Sequence, residues 1–348
     1  MMTEKKRRFP KWLTIAFFIV FAVGAFIGFK AYQAFLGPSV TAQQEYLYIK
    51  TGSTYQDVLN TLREQDIVKD VQLFDYAAKA MSYSDAVKPG RFKLTEGMSN
   101  RQLIGNLRGG YQEAVKFRFQ NIRLIDNFAA ILAQNFEADS ATFSHLLHSD
   151  TLAQSYGFTK ESFFSMFIPN TYEIYWNTAP EKVIDRLHDE YNKFWTDERK
   201  QKAQALNMTP QEVSILASIV RGEALHTDEM PAIAGLYINR LQKGMLLQAD
   251  PTVIFANQDF TIRRVLNRHL TIDNPYNTYR YKGLPPGPIM LPSIAAIDAV
   301  LNYQKHDYIY MCAKDDFSGY HNFAKTQAEH LVNARKFQRA LDERNIKK

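Results

Sequence analysis

Residues 209–224 read TPQEVSILASIVRGEA, and this stretch governs how the rest of the chain is read. Thr209 suits a helix N-cap, Pro210 the first helical position, and Glu212 completes a capping box, so the spacing predicts a helix that starts here. Val213, Leu216 and Val220 fall at i, i+3 and i+7 and define a buried stripe. Glu223 lies three residues beyond Val220 and continues that stripe at the end of the helix. A carboxylate so placed leaves water and meets the negative end of the helix dipole, and both effects raise its pKa. A carboxyl kept protonated near neutral pH is what a general acid requires. The bland alternative places Glu223 past the last turn in solvent, or paired with Arg221. Periodicity alone leaves both open.

Reading toward the C-terminus, His226, Thr227 and Asp228 form a turn, and Asp228 and Glu229 are expected to serve the N-terminus of the next helix. That helix has Pro231 near its start, runs through AIAGLYINRLQK and stops at Gly244. Two helices joined by a short acidic turn would set Glu223 near the mouth of a cleft. Residues 248–252 (QADPT) and 274–280 (NPYNTYR) read as loops rich in amide, carboxylate and aromatic groups, and 283–288 (GLPPGP) as a rigid turn. Aromatic faces and planar amides suit an N-acetylated sugar, because rings stack and amides and carboxylates hydrogen-bond to hydroxyls. Taken singly, Tyr276 and Tyr279 read more readily as core or loop-packing residues. Their concentration beside a candidate acid favours the sugar.

Toward the N-terminus, Trp12–Phe29 (WLTIAFFIVFAVGAFIGF) is an uncharged run of 18 residues. At 1.5 Å per residue it spans about 27 Å, close to the hydrocarbon thickness of a bilayer. Five cations within residues 1–11 face only Glu4, so the positive-inside rule predicts a cytoplasmic tail over 1–11, a membrane anchor over 12–36 and an extracytoplasmic remainder. A cleaved signal peptide is the rival; its small-residue site would be Val40-Thr41-Ala42, far beyond the apolar run. An exterior location leaves no cytosolic ATP or NAD supply, and no cofactor is expected.

The chain has 348 residues, 46% hydrophobic and 22% charged, which supports packed cores in two or three domains. Its net charge of +6 sits largely in the first 11 residues, so the body is nearly neutral and nucleic acid is not an expected partner. A lone cysteine, Cys312, excludes an intrachain disulfide and a multi-cysteine zinc site. His145 and His148 lack further ligands in pattern, no metal site is expected, and no G-x-S-x-G nucleophile is present. Residues 37–44 (GPSVTAQQ) read as a linker. IKTGSTYQDVLNTL from Ile49 and LTEGMSNRQLIGNL from Leu94 then align on Gly52 and Gly97, each a strand, glycine turn, Ser/Thr cap and short amphipathic helix. A small α/β module over 44–115 follows, and it resembles the LysM-type module of wall-binding proteins; a structural domain without ligand fits the pattern as well. Residues 115–119 alternate like a strand. Helical patterns run from Leu124 to Lys200, interrupted by turn residues at 168–173.

SILASIVRGEA (214–224), INRLQKGMLLQADPTVIFA (238–256), NPYNTYRYKGLPPGPI (274–289) and GYHNFAKTQAEH (319–330), in that order, resemble the MltG-type (YceG-like) endolytic murein transglycosylases over about residues 165–335. The resemblance implies an α+β protein with a transmembrane helix, a LysM-like module and a mixed helical and strand catalytic domain over 116–348. It implies cleavage of the bond between N-acetylmuramic acid and N-acetylglucosamine in nascent glycan strands, leaving a 1,6-anhydro end. Glu223 would protonate the leaving oxygen and then, as carboxylate, accept the proton of the sugar's 6-hydroxyl. Gln248, Asp250, Asn277 and Tyr279 would line the sugar site; His321 lies in a stretch of the same resemblance and fits a place at the site's wall or a satisfied loop histidine equally. It further implies a single-pass protein of the inner membrane with a periplasmic catalytic part, and association with cell-wall synthases. One departure stands out: the family stretch often carries Glu-x-Glu, whereas here it is Arg221-Gly222-Glu223. Were the missing acid the donor, the chain would be a non-catalytic wall-binding or scaffold protein. A hydrolytic muramidase is a third reading; it needs a second carboxylate, for which Asp250 is the candidate. Glu173 is a reserve acid, with a surface or capping role the simpler expectation.

Overall fold

The computed structural model describes residues 11–41 and 43–344. The basic tail expected over 1–11 therefore lies, apart from Lys11, outside the described residues. The chain divides into two compact units, residues 1–115 with 173–177, and residues 116–172 with 178–348.

The first unit opens with helix α1 (Lys11–Phe35), a helix with mean hydropathy 2.4 over its best window and with its apolar side chains exposed up to the last turn, where Ala34 is buried. Strand β1 (Tyr46–Ile49), helices α2 (Tyr55–Glu64) and α3 (Val71–Ala80), strand β2 (Gly90–Lys93) and helix α4 (Asn100–Gly109) follow. The strands pair antiparallel from Tyr46↔Lys93 to Ile49↔Gly90. The two glycine-turn stretches fold alike. Gly52 and Gly97 adopt φ of 81° and 75°, a region costly for residues with a Cβ, and Thr54 and Ser99 each close a capping box. Val58, Leu59 and Leu62 of α2 and Leu103, Ile104 and Leu107 of α4 meet in one core with Leu47 and Phe92. Helix α3, capped by Asp70, fills the space between them.

Residues 37–41 do not form the expected linker. Pro38 and Val40 bridge to Ser99 and Val68, and the Ser39 and Val40 amides donate to the Met98 carbonyl. Val40 is apolar and 1% exposed, and burying it against segments far along the chain draws its neighbours into backbone pairing with them.

From β3 (Val115–Arg118), whose first residue belongs to the first unit, the chain passes through α5 (Ile125–Asn135), α6 (Ser140–Leu147) and α7 (Asp150–Ser155) to β4 (Thr171–Ile174), whose last two residues do so as well, then α8 (Pro180–Phe194) and α9 (Asp197–Ala205) in the second unit. Phe119, Phe128 and Phe167 pack with ring centroids 4.8 Å apart in two contacts and anchor this part. Helix α10 (Pro210–Glu223) begins at the Thr209 capping box as its sequence predicts. It is not striped: every residue from Val213 to Val220 is buried. Helices α9, α11 (Met230–Gln242), α12 (Asp250–Asn257) and α14 (Ile294–Leu301) pack around it. Ser214 and Ser218 are tolerated inside because their hydroxyls donate to the carbonyls of Pro210 and Ile215. The short helix α13 (Asn267–Leu270) lies against α12, and the hairpin of β5 (Tyr310–Ala313) and β6 (His321–Ala324) carries the last helix, α15 (Gln327–Glu343).

Candidate active site

Glu223 ends the buried helix α10 and lines a cleft of about 530 Å³ in the second unit. Gly222 makes that placement possible. A Cβ there would stand 2.9 Å from the Cβ of Pro251, so only glycine lets the end of α10 touch the start of α12. Pro251 itself is why Asp250 opens a helix where the sequence suggested a loop: proline suits the first turn, where its missing N–H costs nothing. Asp250 thereby comes beside Glu223.

The carboxyl of Glu223 is pushed from its ordinary 4.5 up to about 7, chiefly by loss of hydration. The negative charge of Asp250 adds to the rise. Two hydrogen bonds oppose it, one from Tyr237 Oη to Oε1 at 2.8 Å and one from the Asp250 backbone N–H. Burial outweighs both donors, which leaves an acid able to hold or release a proton near neutral pH. Arg221 does not pair with it; its guanidinium donates from Nη1 to the Ala224 carbonyl at 3.3 Å.

Opposite Glu223, Tyr279 donates from Oη to Asp250 Oδ1 at 2.6 Å. The two motif stretches that supply them are stitched together behind the cleft. The Gln248 and Ala249 amides donate to the carbonyl and hydroxyl of Thr278, and the Thr252 and Thr278 hydroxyls lie 2.8 Å apart in the interior. Gln248 holds φ of 52°, and Arg240 fixes its amide, donating from Nη2 to Oε1 at 2.5 Å. Arg240 also donates to the Leu246 and Ile309 carbonyls, so one buried cation ties α11, residues 246–248 and the residue that leads into β5 (Tyr310–Ala313) into a single wall.

His321 stands on that hairpin, where Glu229 grips it twice. Glu229 accepts from the His321 backbone N–H at 2.7 Å and lies 2.8 Å from Nδ1. Glu229 was expected to serve the N-terminus of α11 together with Asp228. Instead it makes no cap hydrogen bond and is 7% exposed beneath β6, while Asp228 accepts from Tyr320 Oη. A buried carboxylate takes the strongest available donors, and β6 offers two.

Glu223, Gln248, Asp250, Tyr279 and His321 thus share one cleft. Asn277 lies elsewhere. It is fully buried, its Nδ2 donates to the Leu270 and Ile272 carbonyls at 2.9 Å, and its Oδ1 accepts from the Tyr279 amide, so it shapes the loop that presents Tyr279. Tyr276 packs on Phe255 at 4.7 Å between ring centroids. Glu173 falls in β4 on an exposed position. Sequence reasoning missed Tyr237, Arg240 and Glu229. The first two lie in the stretch LYINRLQK, where a polar or phenolic residue among apolar ones was the available signal. Among the described residues no cluster of metal-ligating side chains occurs.

Comparison with known proteins agrees with this architecture. A model of the YceG-like family matches residues 47–336. The endolytic murein transglycosylase of Streptococcus pneumoniae serotype 2 is 26% identical, in an alignment covering 92% of this chain and 63% of that protein, so the chain spans less than two thirds of that relative. The endolytic murein transglycosylase of Bacillus subtilis is 29% identical, with 81% of each chain covered. The crystal structure of a YceG-like protein of Listeria monocytogenes superposes with a TM-score of 0.55 at 24% identity, covering 82% of this chain and 98% of that one, and shows the shared fold.

Proposed function

The chain belongs to the YceG-like family, and from that premise we propose that it is a membrane-anchored endolytic lytic transglycosylase of peptidoglycan. The observation that carries the reading is Glu223, an acid titrating at about 7 at the wall of a polar cleft. In the reaction, Glu223 in its protonated form gives its proton to the oxygen that links N-acetylmuramic acid to N-acetylglucosamine. The bond from that oxygen to the anomeric carbon breaks. The sugar's own 6-hydroxyl closes on the anomeric carbon, and the Glu223 carboxylate takes up the hydroxyl proton. The acid is regenerated and no water is consumed. A carboxyl near 7 serves both steps, because neither protonation state is far from the working pH.

Tyr237 supports the first step, since its hydrogen bond favours the carboxylate that remains once the proton has been given up. Asp250, Tyr279, Gln248 and His321 offer hydrogen-bond partners to hydroxyl and N-acetyl groups. Asn277 contributes by holding the Tyr279 loop. The departure at Arg221 is compatible with activity, because the arginine turns to the Ala224 carbonyl and leaves Glu223 free of an ion pair. The apolar helix α1 and the basic tail support an anchor with the remainder outside the cytoplasm.

The test is Glu223→Gln, assayed on uncrosslinked glycan strands with mass spectrometry of the products. Loss of 1,6-anhydro ends by about 10²–10⁴-fold is expected. Undiminished anhydro product would refute the assignment, and reducing ends from the unsubstituted protein would identify a hydrolase.

A further inference from the structure

The first unit is not hung from its apolar helix by a tether; the end of α1 is built into it. Asn100 is 1% exposed and donates from Nδ2 to the Ala34 carbonyl at 3.0 Å, Ala34 is also 1% exposed, and α3 and α4 pack directly on α1. If a bilayer takes up the uncharged run to Phe29, its hydrocarbon ends within a turn or two of that residue. The side of α3 and α4 that flanks α1 then has to lie in the headgroup layer.

That side has the chemistry for it. Tyr32, Leu36 and Tyr76 are 53%, 54% and 63% exposed, and Tyr76 meets the Phe35 ring edge-on at 6.1 Å. Beside them runs a groove of about 600 Å³ with Gly28 and Ala31 along it and Met81 and Arg101 at its end. Arg101 and Lys30 are exposed, and neither has a hydrogen-bond or ion-pair partner among the described residues.

We propose that this face is a phospholipid-binding surface that seats the module on the membrane, with an anionic phospholipid as its occupant. The groove takes the upper acyl chain, Arg101 at its end takes the phosphate, and the tyrosine rings lie at headgroup level, where amphipathic rings are favoured. The inference rests on reading α1 as a membrane anchor. Continuity of the groove with the spanning run identifies the occupant, since the same helix that crosses the bilayer forms the groove wall. The consequence is mechanical: the weld at Asn100 gives the module a fixed height and tilt on the membrane.

The test uses the full chain with Cys312→Ser and a single new cysteine in place of Tyr76, Arg101 or, as control on α2, Gln56. Each is labelled with a fluorophore and reconstituted into phosphatidylcholine–phosphatidylglycerol vesicles that carry headgroup nitroxides. Labels at 76 and 101 are expected to lose most of their emission and the label at 56 little. Arg101→Glu should reduce the quenching of the label at 76 in the anionic vesicles, and not in pure phosphatidylcholine. Equal quenching at all three sites, in protein that survives an alkaline wash, would overturn the seating and leave the anchor standing. Release by that wash would overturn both.

Discussion

Two helices of this protein begin in the same way and end in opposite ways. Helix α4 opens with Ser99 and Gln102 in a capping box, and α10 opens with Thr209 and Glu212 in another. From there α4 buries Leu103, Ile104 and Leu107 on one face, leaves Arg101 and Arg108 in solvent, and closes on Gly110 at φ of 72°. Helix α10 is enclosed from Val213 to Val220 and runs on through Gly222 to a carboxylate that cannot hydrate fully. The start of a helix is a local matter, settled by a cap and its partner three residues on. What its end does depends on what the rest of the chain packs around it.

The contrast is open to attack at several strengths. The largest effect separates the two ends of α10 itself. Glu223→Gln should abolish most anhydro product, whereas Glu212→Gln, which keeps an acceptor for the Thr209 amide, should leave turnover within about twofold. Equal losses from both would mean that the helix, not its terminal acid, matters.

The same burial has a cost in stability with a defined sign. Because the folded pKa of Glu223 lies above its ordinary 4.5, the folded state holds the proton more tightly than the unfolded chain does. Its stabilising contribution is full below 4.5 and lost as pH rises through about 7. Glu223→Gln should therefore gain roughly 1–3 kcal/mol over the parent at pH 8 and little at pH 4, read from denaturant midpoints. In rate, the protonated form is depleted above about 7, so kcat/KM should fall on the alkaline side, and Tyr237→Phe, by removing a donor to the carboxylate, should move that limb upward.

Glycines in the two helices should respond with opposite signs. Gly222→Ala drives a Cβ into Pro251 and should cost roughly 1–3 kcal/mol. Gly105→Ala in α4 meets nothing within 4 Å and should gain about 0.5–1 kcal/mol from helix propensity. Calorimetry of the two variants measures the pair directly. The caps should show the smallest difference: Ser99→Ala and Thr209→Ala should each cost about 1 kcal/mol. A much larger loss at Thr209 would show that cap to be supported by the packing around it.

The paired stretches at Ile49 and Leu94 could be read from the chain because strand, positive-φ glycine, cap and apolar spacing all operate within about a dozen residues. Helix α10 could be located by the same means, as could the position of Glu223 at its end. The stripe assigned to α10 was too narrow, since a count of apolar positions cannot register that Ser214 and Ser218 satisfy their own hydroxyls and go inside. Val40 made the supposed linker part of a core, an outcome that depends on Met98 and Val68 being there to receive it. Asn277 carried the polar signature of a ligand and is spent on two carbonyls, because a buried loop must satisfy its backbone with whatever amide is at hand.

By itself the sequence determined an apolar helix of membrane-spanning length, the starts of the helices, the glycine turns and one acid at the end of a helix. These are consequences of hydrophobicity, φ preference and hydrogen bonds between near neighbours. Only the tertiary structure decided that Gly222 would meet Pro251, that Arg240 would clamp Gln248, and that Glu229 would reach β6 across 92 residues to hold His321. Those contacts join residues far apart in the chain, and the dehydration that lifts Glu223 toward neutrality is the summed effect of all the atoms they bring around it.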